Sequence, residues 1–135
     1  MAKINKLKEV PKSLRVWFAI HFTVDMIFAI PLLFFPSFLL GLFGFNVIGA
    51  ELVMARLVGA ALIGIGGASL FNYHKTKESF DIMLTLKILW SSAAIIGLLI
   101  STYLGAPWQT WIITITFALF SGIWWYYKLK LKNNS

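Results

Sequence analysis

No cysteine occurs anywhere in the 135 residues, which excludes disulfides, thiolate metal centres and thiol redox chemistry. Charge is scarce too: Asp, Glu, Lys and Arg make up 13% of the chain, against about 25% in an ordinary soluble domain. His21 and His74 are the two histidines, and their spacing is not that of ligands on one helix. No transition-metal site is therefore expected. A phosphate-cradling glycine loop, a nucleophile elbow and a serine triad are all missing, so no cofactor is expected and an enzyme is the less favoured reading. The Gly64, Gly66, Gly67 cluster follows no strand and reads as helix packing. Long polar stretches are lacking as well, which leaves no room for a separate soluble domain; one membrane domain over residues 1–135 is expected.

What the chain has instead is apolar length. Hydrophobic residues make up 59% of it, gathered in four runs. A helix rising 1.5 Å per residue needs about 20 apolar residues to cross roughly 30 Å of hydrocarbon. Runs at about 14–35, 52–71, 82–103 and 108–127 satisfy that length. The predicted fold class is all-α, an integral membrane four-helix bundle. The basic start followed by an apolar run superficially matches a secretory signal. That run is too long, contains His21 and Asp25, and ends without a small-residue cleavage pattern, so it reads as a retained first span.

The formal net charge is +7, and its distribution explains it without nucleic acid. Lys3, Lys6, Lys8, Lys12 and Arg15 precede the first run, Lys75 and Lys77 lie between the second and third, and Lys128, Lys130 and Lys132 follow the fourth. The other two connections carry no Lys or Arg. Because cytoplasmic loops hold the excess cations, the pattern predicts a multi-pass protein of the cell membrane with both termini cytoplasmic. The bilayer is then the first partner. Lys87, in the second turn of the third span, is expected to snorkel back to the headgroups. Trp108 and Trp111 mark the outer edge of the last span, and the run from Trp124 to Tyr127 marks its inner edge.

Two further helices are expected. Pro36 suits a first helical turn and Gly44 a C-terminal cap, which predicts a short interfacial helix at about 36–43. Ile4, Leu7 and Val10 recur at helical spacing among lysines, as in a helix lying on anionic lipid. Small residues predict the packing faces of the spans: Arg56, Ala60, Gly64 and Ala68 form one ridge with Gly59 and Gly67 beside it. Thr110, Thr114, Ala118 and Gly122 form another, and Ser91, Ala94 and Ser101 a third.

Ionisable groups at bilayer depth cost about 2.5–3.5 kcal/mol even on the lenient insertion scale, so each needs a partner or water. Asp25 falls near the middle of the first span with His21 one turn away on the same face. Arg56 falls about one turn inside the second span, with Glu51 at the surface. Since a short connection joins these spans, an Asp25–Arg56 pair with His21 beneath it is expected. Asp25, Arg56, His21 and Glu51 are the candidate binding residues. The cluster reads as a structural ion pair, as a pocket for a small ligand or lipid headgroup, or as a proton relay.

The run PSFLLGLFGF, followed by ARLVGAALIGIGG, resembles the DoxX-like superfamily of small bacterial and archaeal four-span proteins. The resemblance covers about residues 14–103 and rests on Gly44, Arg56, Gly59 and Gly64. It implies a four-helix bundle, and the best described member is a membrane subunit of a quinone-linked sulfur oxidoreductase. No quinone site or redox group in this chain supports that role residue by residue. The preferred expectation is a non-catalytic subunit or scaffold that docks on other membrane proteins or on copies of itself. The alternative is a small-ligand or lipid binder or transporter built on the Asp/Arg/His cluster.

Overall fold

The computed structural model describes residues 9–134. Lys3, Lys6, Lys8 and most of the predicted surface helix, including Ile4 and Leu7, lie outside the described residues. Within them the chain forms five α-helices and no strand: α1 (Lys12–Phe34), α2 (Pro36–Leu42), α3 (Ala50–Phe71), α4 (Lys77–Tyr103) and α5 (Thr110–Asn133). The all-α class is as expected, and α1, α3, α4 and α5 are each long and apolar enough to cross a membrane. The protein is accordingly a multi-pass membrane protein.

The two largest differences from the hydropathy boundaries lengthen the helices. α4 starts at Lys77 and α5 runs on to Asn133, beyond the predicted 82 and 127. Hydropathy marks the part that faces lipid, whereas an established helix continues through Lys and Glu, which are good helix formers. Pro31 lies inside α1. Proline has no N–H to donate to Ile27 O four residues back, a loss that spans tolerate; at the end of the helix Phe35 N–H donates to Pro31 O at 2.7 Å.

The chain divides into two compact units, one being Arg15–Tyr73 and the other the region from His74 onward together with residues up to Leu14. In the first, α1 meets α3 through glycine. A Cβ added at Gly59 would stand 3.0 Å from both Ala29 O and Leu33 N, so the two backbones touch there. Farther along, a Cβ at Gly66 would stand 2.9 Å from Asp25 Cβ. The buried face of α3 is Ala55, Gly59, Leu62, Gly66 and Ser69, an alternation of four and three residues like a coiled-coil seam. The expected ridge of Arg56, Ala60, Gly64 and Ala68 is therefore not the packing face. Arg56, Ala60 and Gly64 are exposed, and open space lies over Gly64 and Gly67. Choosing the four-residue row of small side chains placed the contact roughly one residue around the helix from where it is.

The short helix follows its expected start and stop. Pro36 opens α2, and Gly44, at φ 81°, turns the chain out of it. Gly44 N–H donates to Gly41 O at 3.1 Å and Phe45 N–H to Leu40 O at 3.0 Å, the paired bonds of a Schellman stop. Gly105, at φ 97°, ends α4 the same way, with Gly105 N–H on Thr102 O and Ala106 N–H on Ser101 O. Arg15 donates to Tyr73 O, tying the start of α1 to the end of α3.

In the second unit α4 and α5 lie antiparallel. Trp90 meets Phe117 at 6.4 Å between ring centres, and Tyr127 donates to Ser13 Oγ at 2.7 Å. The buried residues of α5 are Thr110, Thr114, Ser121, Trp124, Tyr127 and Leu131. Thr110 and Thr114 of the predicted ridge are thus inside, whereas Ala118 and Gly122 are exposed. Of the aromatic run, Trp125 and Tyr126 face outward while Trp124 and Tyr127 face the core, because consecutive residues turn about 100° around a helix. Lys128 Nζ closes one end of the pair, reaching Asp81 Oδ1 at 2.7 Å and Thr85 Oγ1 at 2.8 Å. Both partners remain partly exposed, so Lys128→Ala should lower unfolding stability by only about 0.2–1 kcal/mol, as titration with a denaturing detergent would measure.

Candidate functional site

The site is built on the buried stripe of α1. Leu14, Phe18, His21, Asp25, Ala29 and Leu32 are all buried, and the middle of that stripe carries the two titratable side chains. His21 and Asp25 are one turn apart, as predicted, with His21 Nδ1 3.1 Å from Asp25 Oδ2. Each is less than a tenth exposed. At this separation the two side chains are in direct contact, and weak screening inside the protein strengthens any electrostatic interaction between them.

Gly66 makes this placement possible. A Cβ there would lie 3.0 Å from Asp25 Oδ2 and 3.0 Å from the terminal methyl of Met26, closer than ordinary contact. The missing side chain on α3 therefore leaves the volume that the carboxylate occupies. Residue spacing alone singled out Gly66 only as part of a packing cluster. Its pairing with Asp25 depends on the register of two antiparallel helices, which a single sequence does not display.

That register also separates Asp25 from Arg56, correcting the expected pair. Asp25 stands against Gly66, and Arg56 is ten residues earlier on α3, about 15 Å along the axis at 1.5 Å per residue. Arg56 is level with the end of α1 near Phe34 instead, and its side chain is exposed on the flank of the buried seam. The short connection does make α1 and α3 neighbours, but α1 continues to Phe34 before turning. Glu51 is also away from the dyad. It sits in the first turn of α3, where its Oε2 accepts Ile48 N–H from the residue before the N-cap at 2.9 Å and its charge favours the positive end of the helix dipole.

Lys87 is the residue that hydropathy placed wrongly. It is 1% exposed, ten residues into α4, or about 15 Å from the helix start at 1.5 Å per residue. Its ammonium lies 5.0 Å from the centre of the Trp124 ring, in cation–π range. Trp124 in turn stacks on Phe120 at 5.7 Å. Because α4 begins earlier than the apolar run, Lys87 is deep in the helix and does not snorkel. The interior of the second unit thus holds its own charge, flanked by the buried Ser91 and Ile88 on α4.

His74 is exposed at the connection between α3 and α4, away from His21 in the chain. Among the described residues no three His, Asp or Glu side chains gather at one place. The chemistry available at the dyad is that of one carboxylate and one imidazole: accepting a cation or a donor group, and holding or passing a proton. Comparison with protein-family models, curated proteins and solved structures gives no match for this chain.

Proposed function

We propose that this multi-pass membrane protein binds a small polar or cationic ligand at the His21–Asp25 dyad, with its lysine-rich ends and middle connection on the cytoplasmic side. The observation that carries this reading is the 3.1 Å contact between two buried titratable groups near the middle of α1. An isolated structural helix pair would be simpler with apolar residues at both positions, since buried ionic groups often add no net stability over apolar ones. Their presence within a span supports a ligand or proton site, since ionisable groups there are costly. Gly66 adds to this, because an apolar seam could fill that volume with any small side chain.

Gentle extraction followed by mass spectrometry of small molecules tests the proposal. The wild-type protein should release a stoichiometric polar compound, and Asp25→Asn should reduce its occupancy at least tenfold while the fold survives. A His21→Leu/Asp25→Leu double variant with undiminished stability and an unchanged small-molecule profile would overturn it and leave the dyad as a structural contact.

The second reading is a non-catalytic subunit or scaffold of a larger membrane complex, in keeping with the resemblance to DoxX-like proteins. It is favoured by the small-residue face at Ala60 and Gly64, both exposed, with open space over Gly64 among the described residues. Small residues let a second helix approach closely in lipid. Gly64→Leu should then disrupt co-purification with the partner while leaving ligand occupancy at Asp25 unchanged.

A further inference from the structure

Arg56 is a charge that the packing of α3 leaves over. It is exposed, and among the described residues it makes no hydrogen bond or ion pair. It is also the one Lys or Arg between Arg15 and Lys75. It stands six positions after the start of α3 at Ala50, about 9 Å along the axis. Val53, Leu57 and Val58 around it are exposed and apolar. Glu51, the nearest carboxylate in the chain, is turned to Ile48 N–H instead.

A guanidinium on the lipid-facing side of a span requires an anion, and its long stem lets it reach the nearer membrane surface to find one. The membrane itself supplies that anion at this depth as the phosphodiester of a phospholipid. Arginine suits it better than lysine, because its planar fork matches two phosphate oxygens at once. The same end of this unit presents Phe34, Phe35, Phe38, Leu42 and Ile48 as exposed apolar side chains, a surface made for the glycerol and upper acyl segments. We infer that Arg56 is a phospholipid site in which the guanidinium holds the headgroup phosphate at the α2–α3 end and the exposed apolar side chains receive the chains. This site is separate from the His21–Asp25 dyad and stands whether or not that dyad binds a ligand.

The test is native mass spectrometry of the full chain taken from nanodiscs of phosphatidylcholine and phosphatidylglycerol, under conditions that strip loosely held lipid. The wild-type protein should keep one phospholipid. Arg56→Gln should lower its occupancy at least tenfold, and Arg56→Lys should retain an intermediate amount. A measurement on the unaltered protein guards against a folding defect: digalactosyldiacylglycerol, which has no phosphate, should be retained at least tenfold less than phosphatidylglycerol. Equal lipid retention by wild type and Arg56→Gln would overturn the inference. So would equal retention of the galactolipid, displacement of the phospholipid by millimolar inorganic phosphate, or efficient cross-linking of two chains through position 56 in place of lipid.

Discussion

Gly59→Val is expected to destabilise the α1–α3 pair by about 1–3 kcal/mol or more, the usual penalty for overfilling a tight contact. The atoms nearest a new Cβ are backbone, Ala29 O and Leu33 N at 3.0 Å, with Leu32 Cβ at 3.1 Å. None of these can rotate away, so α3 has to move as a body. Gly64→Val, facing open space, should change stability by less than about 0.5 kcal/mol, as surface substitutions usually do. Gly66→Val should fall between them. One of its neighbours is the flexible end of Met26, which can swing aside, but the others belong to Asp25. That variant should therefore lose more ligand occupancy than stability. Unfolding in mixed micelles with increasing sodium dodecyl sulfate, followed by circular dichroism, gives the ranking. Equal midpoints for the Gly59 and Gly64 variants would show that the helices do not meet at glycine.

Lys87 is expected to give opposite results for two substitutions. Lys87→Ala removes a long buried side chain from beneath Trp124 and should cost about 2–5 kcal/mol, as emptying a core position of comparable size does. Lys87→Met keeps the volume and deletes the charge. Since a buried charge carries a desolvation penalty that its partners only partly offset, this variant should be as stable as the wild type or more so. The same unfolding titration measures both, and Trp124→Leu in each background isolates the cation–π contact, expected to contribute about 2 kcal/mol when shielded from water. If Lys87→Met proves as damaging as Lys87→Ala, the charge itself holds α4 and α5 together. If it is stable but inactive, the ammonium serves function.

Composition and run length made the membrane class, the four long helices and the short α2 legible, because each rests on local chemistry: apolar length, Pro36 at a helix start, Gly44 at a helix stop. The His21–Asp25 contact was legible for the same reason, one turn on one helix. What needed the register of two helices was not. Arg56 looked close to Asp25 because both lie on spans joined by a short connection, and only the pairing of Gly66 with Asp25 puts them about 15 Å apart along the axis, counting 1.5 Å per residue. Lys87 lies deeper than the apolar run implies because α4 begins at Lys77 and not at about 82. The small-residue ridge of α3 was misassigned because Gly59 and Gly66 contact α1 at a seven-residue repeat, while the eye follows the four-residue row through Gly64. The glycine stop at Gly105, preceding Pro107, is a local signal of the same kind as Gly44.

The last helix has a mechanical consequence. α5 runs without interruption from Thr110 to Asn133, carrying Lys128, Lys130 and Lys132 on the same rod as Trp111, with Lys130 resting over the Tyr126 ring at 5.6 Å. Those lysines cannot swing independently of the helix that bears them. A fluorescent domain grafted after Asn133 by a helical joint would behave like the hand of a clock, its bearing shifting by about 100° for each residue inserted.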